Sequence, residues 1–195
     1  YNYIPKGYEI PVDADYFHCT SNNTIYGTQM KEFPHCPSLM VCDMSSDIFS
    51  RKIDVSQFDL IYAGAQKNMG PAGTTLVIVK DEILGKTGRN IPTMLDYTTH
   101  IKKESMFNTP PVFAVYVSML TLEWLKTLGG VEQIEKMNQE KADLLYNEID
   151  SNPLFEGTAA KEDRSNMNVT FTLTDDSKAD AWNAEWNKAG IVGLK

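Results

Sequence analysis

Cysteine is scarce in this sequence and long apolar runs are missing from it, and each shortage removes a class of protein. Only Cys19, Cys36 and Cys42 occur in 195 residues. An odd number without C-x-x-C spacing does not build a disulfide framework and suits a reducing compartment, so a cytoplasmic location is expected. His18-Cys19 and His35-Cys36 are adjacent pairs, and neighbours in an extended segment point to opposite faces. No metal site is expected, because structural zinc needs four converging ligands. The long apolar stretch from Val112 to Leu128 is interrupted by Glu123 and Lys126, and no run approaches the roughly 20 residues of a membrane-spanning helix. Positive charge is also short, with 18 Lys and Arg against 26 Asp and Glu, a net charge of -8. That leaves no broad basic surface for a nucleic-acid backbone. Neither nucleic acid nor a membrane is expected as a partner. The opening Tyr1-Asn2-Tyr3-Ile4-Pro5-Lys6 has no initiator methionine and no charged start before an apolar block, so a secretory signal is not expected and the chain reads as an internal portion. No internal repeat or low-complexity segment occurs. Asn22-Asn23-Thr24 and Asn168-Val169-Thr170 match the glycosylation triplet, which matters only in a secreted protein.

What is present is a 42% hydrophobic chain, long enough to bury a substantial core. Asp15 to Thr20, Leu39 to Cys42 ending at Asp43, Phe58 to Ala65, and Thr74 to Val79 are short apolar runs bounded by breakers, and read as buried strands. Residues 80–111 are broken by Gly85, Gly88, Pro92 and Asn108-Thr109-Pro110-Pro111, and read largely as loop. Val112 to Leu128 reads as a helix apolar on most faces, hence buried, ended by Gly129-Gly130. A second helix follows, with Ile134, Met137, Leu145 and Ile149 as its apolar stripe. Asn152-Pro153 ends it. Met167 to Leu173 alternates apolar with polar residues as a half-buried strand does. Asp175-Asp176-Ser177 then caps a helix from about Lys178 to Ala189, and Ile191-Val192 starts another strand. The pattern predicts an α/β fold divided into residues 1–128 of a larger domain, a connecting helix at 129–152, and an incomplete smaller α+β domain at 153–195.

Chemistry concentrates in the breaker-rich loop Gln66-Lys67-Asn68-Met69-Gly70-Pro71-Ala72-Gly73, just beyond a strand end. Open α/β sheets bind ligands in the crevice outside strand termini. Taken alone, Lys67 is an ordinary solvated lysine, although an amine on a rigid glycine-rich turn is placed to attack a cofactor carbonyl. Asp43, at the end of a buried strand, suits the ring nitrogen of a pyridine cofactor. It suits equally well the cap of a turn, together with Ser45, Ser46 and Asp47.

The stretch Ile61-Tyr62-Ala63-Gly64-Ala65-Gln66-Lys67-Asn68-Met69-Gly70-Pro71-Ala72-Gly73 resembles the cofactor-lysine segment of phosphoserine aminotransferases. Ser50-Arg51-Lys52-Ile53-Asp54-Val55, Ser105-Met106-Phe107-Asn108-Thr109-Pro110-Pro111 and Arg164-Ser165-Asn166-Met167-Asn168-Val169 agree with that family in order and spacing. The resemblance implies part of a fold type I large domain, with a mainly parallel mixed sheet, and pyridoxal 5'-phosphate held by Lys67 as a Schiff base. It further implies that Asp43 faces the pyridine nitrogen, Thr24 contacts the ring region and Gln66 binds the cofactor phosphate. Asn108 and Thr109 would reach the cofactor phosphate of the neighbouring subunit in a homodimer. Without the resemblance, Thr24 reads as a strand filler and the Asn108 segment as a turn. The implied reaction moves the amino group of glutamate to 3-phosphohydroxypyruvate, giving phosphoserine, and extends in some members to the phosphohydroxythreonine step of vitamin B6 synthesis. The family's stacking tryptophan, its glycine-containing phosphate loop and its substrate arginines fall outside the sequence. The alternatives are another class V aminotransferase or a desulfurase, a catalytically inactive portion that retains subunit association, and a binding module without chemistry.

Overall fold

The computed structural model describes residues 1–192. Its strands are β1 (Tyr16–Thr20), β2 (Asn22–Asn23), β3 (Thr28–Gln29), β4 (Leu39–Asp43), β5 (Leu60–Gly64) and β6 (Thr75–Val79). Three helices follow, α1 (Tyr97–Lys102), α2 (Val112–Thr127) and α3 (Gly130–Ser151), then β7 (Phe155–Gly157), β8 (Phe171–Leu173) and α4 (Ala179–Lys188). The main sheet runs in the order β1-β4-β5-β6, with β1, β4 and β5 parallel and β6 antiparallel to β5. This is the expected mostly parallel mixed sheet of an α/β fold. The register sets Thr20 beside Asp43, Asp43 beside Tyr62 and Tyr62 beside Val77. Because side chains alternate along a strand, these four share one face at the C-terminal ends of the parallel strands. The opposite face carries Cys19, Met40, Cys42, Ile61 and Ala63, which form the main core with Met30, Met44, Ile48 and Phe58. Phe33 closes it edge-on against Phe58, with centroids 4.7 Å apart. Met40 and Ile61, buried at 2% and 1% exposure, each stabilise the fold by about 1.5–3 kcal/mol.

A smaller core holds the second half. Ala142, Tyr146 and Ile149 of α3 pack against Phe155, Val169 and Phe171, and Trp182 of α4 meets Phe155 edge-on at 5.1 Å. The two halves are joined by buried polar contacts, in which the Tyr146 hydroxyl donates to Ser165 O at 2.9 Å, Ser165 bonds Asn22, and Asn22 Nδ2 donates to Asn168 Oδ1 at 2.8 Å.

Several sequence expectations need correction. β1 lies at the sheet edge, with only Cys19 fully buried. Residues 80–111 contain, besides loop, 3-10 turns at Asp81–Ile83 and Thr93–Leu95 and the helix α1, capped by Asp96, whose carboxylate accepts from Thr98 N at 2.9 Å. Helix α2 is present but not buried: Phe113 is 73% and Trp124 56% exposed, and Ala114 is its one buried residue. Composition reports how apolar a helix is, whereas burial depends on what packs against it. α2 turns into α3 through an 81° bend at Gly129, whose φ of 106° suits a residue without Cβ. On α3 the buried face is Asn138, Ala142, Tyr146 and Ile149, while Leu145 is 50% exposed. The expected strand over 167–173 shrinks to β8, because its first residues turn aside: the Ser165 hydroxyl accepts from the N–H groups of Met167 and Asn168 at 2.9 and 3.0 Å. β7 pairs with β8 and lacked a pattern long enough to be predicted. Ile191 and Val192 are in no strand, and the rest of the strand expected there lies outside the described residues. Among the described residues, no single helix is long and apolar enough to cross a membrane.

Candidate active site

The Lys67 loop is clamped at both ends. Ala65 N–H donates to Thr74 O at 3.0 Å, while Met69 and Gly70 N–H both return to Ala65 O, at 3.2 and 2.9 Å. The Asn68 amide donates to Ile48 O at 2.8 Å, and Met69 is buried in the main core. A Cβ on Gly70 would lie 2.9 Å from Ser118 Oγ and 3.3 Å from the α2 backbone, so only glycine lets this turn approach the helix so closely. Lys67 stands between these anchors with an exposed side chain. Its Nζ donates to Thr24 Oγ1 at 3.2 Å, and it takes part in none of the ion pairs among the described residues. The amine therefore has a neutral partner and no carboxylate to hold it.

Thr24 is brought to the lysine by the β2–β3 turn and is not a strand filler. Asn23 Oδ1 accepts from the N–H groups of Ile25 and Tyr26 at 3.1 and 3.2 Å, fixing that turn. Asp43 closes β4, and its Oδ1 accepts from Ser45 N–H at 2.8 Å. The turn-capping role expected of Asp43 is thus real, yet its position in the row Thr20, Asp43, Tyr62 also puts the carboxylate at the mouth of the sheet. Ser21 N–H holds Asp43 O at 3.0 Å. Gln66 is exposed and folds back over Gly64, where a Cβ would collide with its amide. Asn108 and Thr109 are not brought to the lysine within this chain. They lie exposed between α1 and α2, where the Asn108 amide donates to Met94 Sδ at 3.3 Å.

Beneath the site is a buried charge cluster. Asp47 accepts from the Ser21 hydroxyl and from Gln29 Nε2 at 3.2 Å, with Arg51 Nη2 at 3.6 Å. Burial pushes the Asp47 carboxyl up from its ordinary value, opposed by Ser21, Gln29 and Arg51. Arg51 also donates to Met30 O and Lys31 O at 2.6 and 3.2 Å. Lys31 beside it is lowered to about 8, first by burial and then by the Arg51 charge. No group of three or more His, Cys, Asp or Glu suited to a metal ion occurs among the described residues.

Two residues at the site escape sequence reasoning. His18 Nε2 and the Tyr62 hydroxyl are hydrogen-bonded at 3.0 Å, with their rings stacked 6.0 Å apart. Burial, and then the negative charge of Asp43, its register partner on β4, raise the Tyr62 phenol from its ordinary value. They are 44 residues apart, and only strand register could have paired them.

Comparison with known proteins places these features in a wider group. The family model described as aminotransferase class-V matches residues 9–189. A phosphoserine aminotransferase of Flavobacterium johnsoniae is 70% identical over 194 residues, covering 100% of this chain and 54% of that protein. One from Parabacteroides distasonis is 58% identical over 197 residues, covering 100% of this chain and 56% of that protein. The chain thus spans about half the length of the curated relatives it matches. Among solved structures, a phosphoserine aminotransferase studied for radiation damage of its Schiff base superposes with a TM-score of 0.94 at 48% identity, over 100% of this chain and 55% of that one. The phosphoserine aminotransferase of Bacillus circulans subsp. alkalophilus gives 0.90 at 41% identity, over 96% and 52%. An alanine–glyoxylate aminotransferase from Nostoc and a cysteine desulfurase from Thermococcus onnurineus, at 17% and 11% identity, share the fold alone.

Proposed function

The chain belongs to the class-V aminotransferase family, and on that premise we propose that it forms the cofactor-lysine half of a phosphoserine aminotransferase. The enzyme would transfer the amino group of glutamate to 3-phosphohydroxypyruvate, giving O-phosphoserine and 2-oxoglutarate in serine biosynthesis. One observation carries this reading: the Lys67 amine, fixed on a clamped loop just past the C-terminal end of β5 and, among the described residues, bonded to the Thr24 hydroxyl at 3.2 Å, follows the strand that pairs with β4 at Asp43. Relatives at 58–70% identity that bear the name phosphoserine aminotransferase support it. Desulfurase and other aminotransferase readings have only fold-level likeness behind them.

These residues fit pyridoxal 5'-phosphate. The unclaimed amine of Lys67 suits the cofactor's aldehyde, Asp43 suits a protonated ring nitrogen, Thr24 suits the ring's polar edge, and the exposed Gln66 amide is a directed donor for the phosphate. When bound, the cofactor supplies an electron sink for the substrate's α-carbon electrons. Lys67 first holds the cofactor covalently. Its Nζ, when free, would also be placed to act as general base and then general acid for the proton of the substrate α-carbon. Thr24 aims that amine, and Asp43 keeps the proton on the ring nitrogen. Asn108 and Thr109, exposed between α1 and α2, would serve the neighbouring subunit's cofactor phosphate. The exposed Phe113, Tyr116 and Trp124 of α2 supply an apolar face on which further protein of the homodimer would close. Residues 1–128 form part of the cofactor domain, 129–152 the connection and 153–195 part of the small domain.

The test is the pair of half-reactions, followed one at a time. Full-length protein should be yellow and lose its visible band on addition of glutamate, regaining it with 3-phosphohydroxypyruvate but not with pyruvate. Recovery with pyruvate alone would overturn the substrate assignment, and a protein that never takes up cofactor would overturn the whole reading.

A further inference from the structure

We infer that Tyr62 is a positioning residue for the reaction: its hydroxyl, oriented by His18, steers the Asp43 carboxylate toward the cofactor ring nitrogen. The inference rests on the reading that Asp43 faces that nitrogen. Three observations lead to it. Tyr62 is the register partner of Asp43 on β5 and shares its face of the sheet, while His18 sits on the same face of β1 on the other side of β4. The imidazole Nε2 and the phenol oxygen are hydrogen-bonded at 3.0 Å across β4, with the rings inclined by 30°. Asp43 itself has a fixed partner on one side, the Ser45 N–H at 2.8 Å, and needs a second to set the plane of its carboxylate.

A phenol has a single proton to give. Burial and the Asp43 carboxylate both hold the Tyr62 phenol in its protonated form, so it serves as a donor. With that proton directed at Asp43, the phenol accepts from His18, which fixes the imidazole as the tautomer that carries its proton on Nε2. The chain of donation runs His18 to Tyr62 to Asp43. Its effect is to stabilise the carboxylate as an anion and so to favour the charged pair with a protonated ring nitrogen over a shared proton. Cys42 and Tyr97 are titratable groups whose charge is also felt by the phenol, but Cys42 points to the opposite face of the sheet and Tyr97 lies on α1, outside the β4–β5 register.

The readout is the nitrogen-15 resonance of full-length holoprotein loaded with pyridoxal phosphate labelled at the ring nitrogen, which reports the ring proton independently of turnover. Asp43→Asn should move the resonance farthest toward the unprotonated end. Tyr62→Phe should move it part of the way in the same direction, and His18→Leu should follow Tyr62→Phe, whereas His18→Gln, which keeps a donor, should stay near wild type. His18 lies on the edge strand, so its variants stand in should Tyr62→Phe fail to fold. A wild-type resonance in both Tyr62→Phe and His18→Leu, with Asp43→Asn shifted, would overturn this inference and leave the Asp43 assignment intact. An unshifted Asp43→Asn would overturn the Asp43 assignment and this inference with it.

Discussion

Arg51→Met should be among the most damaging single changes outside the core, and its cost should depend on pH. Asp47 and Arg51 side chains are 3% and 14% exposed, and the guanidinium also holds Met30 O and Lys31 O. Removing one partner of a buried pair costs about 3–5 kcal/mol, chiefly because the remaining charge is left uncompensated. Ser21 and Gln29 still donate to Asp47, so the lower end, about 3 kcal/mol, applies at pH 7. For a chain of this size that is a fall in Tm of roughly 6–12 °C. The pH sign follows from the direction of the Asp47 shift. Burial already raises this carboxyl and Arg51 is one of the groups opposing it, so the variant's carboxyl is pushed further up. A raised carboxyl favours the folded state as pH falls, because the native chain binds its proton more tightly than the unfolded chain. The gap between variant and wild type should therefore narrow on acidification. Urea unfolding at pH 7 and pH 5, repeated for Asp47→Asn and for the double variant, measures both the cost and the coupling. A loss below about 1 kcal/mol at pH 7, or one unchanged with pH, would refute the picture of a strained buried charge held by Arg51.

Gly64→Ala should leave stability nearly unchanged, because the atoms nearest its methyl are those of the movable Gln66 amide. Displacing that amide should weaken cofactor binding by about one hydrogen bond, roughly threefold to tenfold in Kd, measured by fluorescence titration of apoprotein. Gly70→Ala should destabilise by roughly 1–3 kcal/mol through its clash with Ser118. Ser118→Ala, which removes the nearest atom, should restore part of that loss in thermal melts. Asp150→Asn should cost about 1 kcal/mol at neutral pH, after discounting for its partial exposure, since the carboxylate takes two bonds from Arg164 at 2.9 and 2.8 Å. Arg164 and then Lys161 hold that carboxyl well below its ordinary 3.8. Its contribution is present above that value and lost as pH falls through it toward the folded-state value, so wild type and variant should converge in acid unfolding.

Much of the scaffold was legible because its signals are local. Leu39 to Asp43, Leu60 to Gly64 and Thr75 to Val79 are apolar runs cut by breakers, and the turn residues around Lys67 announce a loop at a strand end. What failed depends on partners distant in sequence. The apolar content of α2 forecast burial, but Phe113 and Trp124 stay 73% and 56% exposed among the described residues. On α3, Leu145 was placed on the buried stripe that Tyr146 occupies, because the tyrosine hydroxyl finds Ser165 O. α1 has six residues, fewer than a periodic pattern needs. At the site, the resemblance named Lys67, Thr24 and Asp43, and the structure brings Thr24 to Lys67. His18 and Tyr62 were invisible because their contact is made across β4 by strand register.

Reduction of the full-length protein with borohydride as it comes from cells, followed by peptide mapping, tests the assignment of Lys67 most directly. A pyridoxyl group on the peptide carrying Lys67, and its loss in Lys67→Ala, is the expected result. A cofactor trapped on any other lysine, or cofactor-loaded protein in which Lys67 is recovered unmodified, would contradict it.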